Sequence, residues 1–573
     1  MTNCLSLALL LTGVPGAQSQ LSMHTVDFVI IAVYFVVVLG IGVYLKRYSN
    51  TGEDFFMAGR DITAWVAGLS FICANLGALE LMGWAAATYQ YGILAAHYYW
   101  YGAIPAMLFL GIVMMPFYYI SKTHSVPGYL QLRFGAPTRL VGALSFMAMT
   151  ILMSGINMYA MAVVMKAMLG WDINLSIWIS SLTVGIYVAL GGLVSAIFNE
   201  VLQFFLIWLG ALLIPILGIW EAGGWSALVA RIHANFPQGD YVHLWRPTAH
   251  FTDNPMGVHW TGIVFGLMIG SLGYWTTDFL VVQRAIAAKD LRSAKLAPII
   301  GSFFKMAVPL IVILPGLLAL GVLPFKLVPD NMMAPGLHSY NEVLPLMLAR
   351  YCGPGLLGLG ITALIAGFMS GMAGNVSAFA TVWTYDFYRP FLRKEASDAH
   401  YVSMGRWCTI LGVIISIFTA YLVMQFASIM DYAQVVFSFF MTPIFSTIIL
   451  GMTWKRATKA GGFWGLLMGT ISAFAMWRIV KLWPATIVWF AFSTHATTMA
   501  ENLYRLLWSG IIAAVVTVVV SLATPAQSDE ELKGLVWGCT EIPSEGHLPL
   551  VKRPIFWAGL SFAIFVVLQW IFW

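Results

Sequence analysis

The chain has 573 residues, of which 60% are hydrophobic and only 9% charged, with a mean hydropathy of +0.83. An average soluble domain carries about 25% charged residues, so a water-facing globule, a coiled coil, collagen and a disordered chain are all excluded. The net charge of +5 comes from 29 basic and 24 acidic residues, and the basic ones lie in short loops between apolar runs, which argues against a nucleic-acid-binding face.

At about 20 apolar residues per crossing, this is a polytopic membrane protein. The stretch Leu5–Val14 is apolar but short. It reads either as a weak signal segment cut near Gly16–Ala17 or as a tail. Beyond it, fourteen segments are long enough to cross a bilayer, at 25–45, 61–90, 93–120, 138–168, 173–192, 195–220, 259–283, 296–325, 355–385, 402–424, 430–453, 460–481, 503–523 and 554–573. Five scattered cysteines lack CxxC or CxxH spacing and suggest neither a metal site nor a disulfide framework.

Lys and Arg collect in alternate short loops. They include Lys46, Arg47 and Arg60 after the first segment, Lys122, Arg133 and Arg139 after the third, Arg284, Lys289, Arg292 and Lys295 after the seventh, and further groups after the ninth and eleventh. The opposite side has the longer loops 221–258 and 326–354. By the positive-inside rule the N terminus faces outside, and fourteen crossings return the C terminus there. Trp557, Trp570 and Trp573 suit interfacial anchors of the last helix.

Polar residues at bilayer depth carry the functional signal, because each is costly there. The second segment holds Asn75 and Glu80 between Gly77 and Gly83. Five segments later, Gly270, Ser271, Gly273, Tyr274, Trp275 and Asp278 form a second glycine-interrupted stretch. Two interrupted helices five segments apart are what an inverted five-helix repeat predicts. Glycines alone would also serve close helix packing, but packing does not require Glu80 and Asp278. In the ninth segment Gly367, Ser370, Gly371 and Gly374 fall on one helix face. Either a neighbouring helix packs on that stripe, or a cation site uses the Ser370 hydroxyl. Glu200 opens the sixth segment, Lys305 lies inside the eighth, and Lys166 can snorkel from the outer end of the fourth.

On the pattern Gly52–Arg60 followed by Trp65 and Ala74-Asn75, the chain from about residue 27 to 480 resembles the sodium:solute symporter family, and within it the sodium/glucose cotransporter branch. The resemblance continues in Tyr274-Trp275-Thr276-Thr277-Asp278 with Gln283-Arg284 and Ala288-Lys289. Lys305 follows, then Asp431-Tyr432-Ala433-Gln434, Pro443, Trp454-Lys455-Arg456 and Gly461 with Phe463-Trp464-Gly465. It implies an all-α, inverted five-helix-repeat (LeuT-like) fold. Residues 1–24 would be a tail or signal segment and 25–48 an extra helix. The repeats would span 61–220 and 259–453, with three further helices in 460–573.

The resemblance also implies a plasma or inner membrane transporter driven by sodium, with no other cofactor. Asn75, Glu80, Tyr274, Trp275, Lys305 and Gln434 would contact a sugar-like substrate. The carbonyls of Cys73, Leu76 and Gly367 and the Ser370 hydroxyl would hold sodium. Four departures stand out. Gly371 replaces a second serine ligand. Tyr99 occupies the place of a glutamate that grips hydroxyls. Ser271 replaces an asparagine, and Glu80 a glutamine or histidine. The missing hydroxyl leaves either water filling the gap around sodium or a proton on Glu80 as the coupling ion. A serine restored at 371 is expected to fit without overpacking. No P-loop is present, so ATP-driven pumping is not indicated.

Overall fold

The computed structural model describes residues 23–45, 56–322, 340–426 and 428–573. The N-terminal stretch 1–22, Lys46, Arg47, the motif residues 52–55 and the loop portion 326–339 lie outside the described residues.

The fold is a bundle of apolar helices, which suits a hydrocarbon solvent in which every backbone polar group must be satisfied within its own segment. The helices used below are α1 (Thr25–Leu45), α2 (Ala64–Asn75), α3 (Trp84–Tyr91), α4 (Ala136–Leu169), α5 (Ile173–Ala211), α6 (Met268–Thr277), α7 (Phe279–Ile286), α8 (Leu291–Ala307), α9 (Leu356–Thr381), α10 (Asp398–Val423), α11 (Ile429–Thr453), α12 (Lys459–Leu482), α13 (Thr498–Ala523) and α14 (Pro554–Ile571). Among the described residues nine helices are long and apolar enough to span a membrane, or eleven if two bent pairs each count as one span. In their described residues all fourteen expected segments are mainly helical. The segments read separately at 173–192 and 195–220 share the continuous backbone of α5, with Leu213–Ala222 following. No proline separates them, and Gly191-Gly192 alone does not terminate a helix.

Helix starts are capped locally. The side chains of Asp172, Asp290, Ser397, Ser428, Thr458 and Thr497 each accept an N–H from the first turn of the helix that follows. Such caps satisfy donors that lipid cannot.

Burial separates an inner layer from an outer one. In α9 89% of the spanning window is buried, and in α11 83%, against 28% in α12, 33% in α13 and 22% in α14. The last three helices therefore flank the core rather than build it.

Two breaks organise that core. α2 ends at Leu76 (φ −76°, ψ 49°), and after Gly77 the chain resumes in a wide π-helical turn, Leu79–Gly83, that leads into α3. The second break differs from expectation. Gly270 and Gly273 are helical within α6, and the chain turns instead at Asp278 (φ −69°, ψ 110°), bending 47° into α7. Those glycines serve close approach, since a Cβ on Gly273 would stand 3.0 Å from the Met441 carbonyl oxygen of α11. Ile62 bridges Ala288 beyond α7, joining the far ends of the two broken helices.

Several cations read as loop charges are instead structural. Arg284 and Arg133 are fully buried. Arg133 donates to the carbonyls of Gly451, Trp454 and Ala457 and so closes the end of α11. Lys295 pairs with Glu545 at 2.9 Å.

Gly92 (φ +70°, ψ −158°) joins α3 to the next helix, and a Cβ there would stand 2.7 Å from the Tyr241 backbone. That conformation is open essentially to glycine alone. Gly92→Ala is expected to cost about 1–3 kcal/mol, read as a lower unfolding temperature of the purified protein.

Candidate functional site

The two breaks face each other, and polar side chains meet between them. Glu80 sits in the π-helical turn after the first break, and Tyr99 opens another, Tyr99–Ala103. Such turns shift side-chain register and gather at functional sites. Here they aim the Tyr99 hydroxyl at the Glu80 carboxylate, to which it donates a hydrogen bond. Asn75, in the last turn of α2, donates to Glu80 Oε1 at 3.2 Å and to the Tyr274 hydroxyl at 2.7 Å. Lys305 reaches in from α8. Its Nζ donates to Asn75 Oδ1, approaches Glu80 Oε2 at 3.5 Å, and lies 4.3 Å and 5.0 Å from the ring centroids of Tyr99 and Trp275.

The result is a neutral cage in which one ammonium and one carboxylate share partners. A buried charge survives only when paired in this way. Around the cage a cavity is lined by Asn75, Glu80, Trp84, Tyr99, Ser271, Tyr274, Trp275, Lys305 and Gln434. The six residues expected to contact the substrate are therefore brought together, with the departures Tyr99 and Ser271 beside them. Tyr99 joins Asn75 and Lys305 in holding Glu80. Ser271 packs against Gly102, and Trp275 stacks on Phe71 with centroids 5.7 Å apart. Gln434 is lightly held, its amide 3.6 Å from Met430 Sδ.

A second polar cavity adjoins the first. Its lining includes Gly77, Asn157, Asp278, Gly371 and Asn375, and Asn75, Glu80, Tyr274 and Phe437 form the wall common to both. The hydrogen bond between Asn75 and Tyr274 crosses that wall. Asp278 caps α7 through Leu280 N–H at 2.9 Å.

Of the two roles left open by its spacing, the stripe on α9 fills the packing one. A Cβ on Gly367 would meet the Leu76 carbonyl oxygen at 3.0 Å, and one on Gly374 would meet Leu280 Cδ1 at 3.2 Å, so the stripe packs on both broken helices. It also brings oxygens together, for the Ser370 hydroxyl donates to the Cys73 carbonyl at 2.9 Å. The expectation that a serine fits freely at 371 is corrected. A Cβ there would stand 2.9 Å from Asn157 Oδ1 and 3.1 Å from Gly77 Cα, so a serine would displace the Asn157 carboxamide.

Glu200 lies apart from the cage. It is fully buried, paired with Arg284 of α7 at 2.6 Å, and accepts a short hydrogen bond from Ser70 of α2. His97 is buried and bonded to the Leu244 carbonyl, and Lys166 is exposed.

A model of the sodium:solute symporter family matches residues 55–469. The chain belongs to the sodium:solute symporter family. It is 28% identical to the sodium/glucose cotransporter 4 of Mus musculus, over 90% of this chain and 78% of that protein. It is 27% identical to the sodium/myo-inositol cotransporter 2 of Oryctolagus cuniculus, over 90% and 80%. It is 28% identical to the sodium/mannose cotransporter SLC5A10 of Bos taurus, over 95% and 94%. The substrate-bound, outward-open structure of a Na+-coupled sialic acid symporter superposes with a TM-score of 0.72 at 19% identity, covering 88% of this chain and all of that one. The fold is thus that of an inverted-repeat transporter, and the protein is a multi-pass membrane protein.

Proposed function

We propose that this protein carries a sugar or sugar-like polyol across the membrane in symport with sodium, by alternating access around the cage. The observation that carries the reading is the neutral arrangement of Lys305, Glu80, Asn75 and Tyr99 between two broken helices. Hydroxyls both donate and accept, so a polyol can insert into such a cage and replace its internal hydrogen bonds one for one. A free anion would need an uncompensated cation, and Glu80 already balances Lys305. The aromatic faces of Trp275 and Tyr274 suit the C–H side of a sugar ring. The names of the relatives support the same substrate class.

Sodium would sit where α2 unwinds against α9, held by the carbonyls of Cys73, Leu76 and Gly367 and by Ser370. Unwound backbone lining a cavity is the usual seat of a coupling ion in inverted-repeat transporters. The repeats would span 61–220 and 259–453, with 25–48 before them and 460–573 after. Both termini would face outside, supported by the remaining loop cations Lys122, Lys289, Arg292, Arg389 and Arg393. Parting of Asn75 from Tyr274 would join the two cavities and open the inner route.

The test is uptake of radiolabelled glucose, mannose, myo-inositol and an amino acid into proteoliposomes, with sodium or choline outside. Sodium-dependent uptake of a sugar or inositol is expected. Uptake that follows pH and ignores sodium would move the coupling to a proton on Glu80, and uptake of the amino acid alone would overturn the substrate class. In the same assay Gln434→Ala should raise KM about 2- to 10-fold, the loss of a hydrogen bond worth about 0.5–1.5 kcal/mol. An unchanged KM would remove Gln434 from the site.

A further inference from the structure

The sodium site proposed above has one side-chain hydroxyl, Ser370, where a second would come from residue 371. The structure puts another oxygen at that place. Asn157, in the middle of α4, is 3% exposed, and its Oδ1 is buried without a hydrogen-bond partner. A Cβ on Gly371 would stand 2.9 Å from this oxygen, and a Cβ on Gly77 would stand 3.0 Å from the same oxygen and 3.7 Å from the Gly367 carbonyl oxygen. Asn157 Oδ1 therefore points at Gly77 of the unwound stretch, on the side that also faces the Gly367 carbonyl, and fills the space a serine at 371 would need.

The neighbouring amide, Asn375 Nδ2, donates to the Gly371 carbonyl at 3.0 Å and makes no hydrogen bond to Asn157 Oδ1. A buried polar atom without a partner is costly, and a missing ion is one of its ordinary explanations. An amide oxygen has two lone pairs and no proton to lose. It can ligate a hard monovalent cation without adding charge to a low-dielectric site.

We infer that Asn157 Oδ1 is a ligand of the coupling sodium, standing in for the hydroxyl that Gly371 lacks. The inference rests on the sodium reading above and adds a third helix, α4, to a site otherwise built by α2 and α9. It makes Asn157 and a serine at 371 alternatives, since the two side chains compete for one space.

The test compares wild type with Asn157→Leu, Asn157→Asp, Gly371→Ser, Asn157→Ala and the pair Asn157→Ala/Gly371→Ser. Two readouts are taken across sodium concentrations, with choline making up the ionic strength. One is thermal stabilisation of the purified protein, and the other is uptake of the solute found above. Asn157→Leu should raise the sodium concentration for half-maximal stabilisation by about tenfold or more, the scale on which loss of a metal-supporting group acts. Asn157→Asp, which keeps the oxygen, should stay closer to wild type. Gly371→Ser alone should weaken sodium, and the paired variant should bind it more tightly than Asn157→Ala. Wild-type sodium dependence in Asn157→Leu would overturn the inference and leave the sodium reading standing. If Asn157→Leu does not fold, the comparison of Asn157→Ala with the paired variant decides, and equal sodium affinities there would also overturn it. Stabilisation and uptake that are the same in choline for wild type would remove the sodium reading itself, and this inference with it.

Discussion

Lys305→Met should reduce uptake by about 150- to 5,000-fold and lower the unfolding temperature together. Lys305 is 2% exposed, and its ammonium balances Glu80 while donating to Asn75. Removing one partner of a buried ion pair costs about 3–5 kcal/mol, because the other charge is left stranded, and each 1.36 kcal/mol is tenfold in an equilibrium or rate. Glu80→Gln should lose uptake for the mirror reason, leaving the ammonium without its counter-charge. The double variant Glu80→Gln/Lys305→Met separates the two effects. It contains no stranded charge, so its unfolding temperature should return toward wild type, while uptake stays lost because the cage no longer presents its charged donors and acceptors. Full uptake in the double variant would show that neither group touches the substrate.

The same cage shows what the sequence could and could not say. Asn75, Glu80 and Lys305 were legible because an apolar segment has no structural use for an amide, a carboxylate or an ammonium at its centre. Their mutual contacts were not, because they depend on how α2, α8 and the turn at Leu79–Gly83 are aimed. Tyr99 stands in the sequence as a departure in the place of a glutamate, and its hydrogen bond to Glu80 is not readable there. A tyrosine on an apolar helix looks like packing, and only the π-helical turn at Tyr99–Ala103 turns its hydroxyl to Glu80.

Asn157 escaped the sequence reading although its signal was present. It is an amide at bilayer depth in Ser154-Gly155-Ile156-Asn157, and its weight appears only once Gly77 and Gly371 are seen to leave room for it. The second break was placed too early for a related reason. Glycines mark both unwound backbone and close packing, and local sequence does not separate them; here Gly270 meets Leu506 and Gly273 meets α11, while Asp278 makes the turn.

Arg284 was counted from sequence among the loop cations that orient the chain, and its burial gives it a different role. Its guanidinium makes two contacts to Glu200, Nη2 to Oε1 at 2.6 Å and Nε to Oε2 at 3.3 Å, and also donates to the Leu280 carbonyl at 2.7 Å. Ser70 donates to the same carboxylate from α2. One buried pair thus fastens α5 to both broken helices. Arg284→Met and Glu200→Leu should each destabilise the protein by about 3–5 kcal/mol, read as a large fall in unfolding temperature and in yield of monodisperse protein. Because a well-packed apolar replacement of a buried pair is often neutral, Arg284→Met/Glu200→Leu should recover most of that loss. Ser70 can then turn its hydroxyl to a carbonyl one turn earlier in its own helix, as helical serines commonly do. The pair stands outside the cage, so substrate KM among the molecules that fold should stay near wild type in all three variants. A double variant no more stable than either single would show that the two residues do not act as a pair, and a KM raised as far as in the cage variants would place them in the substrate path.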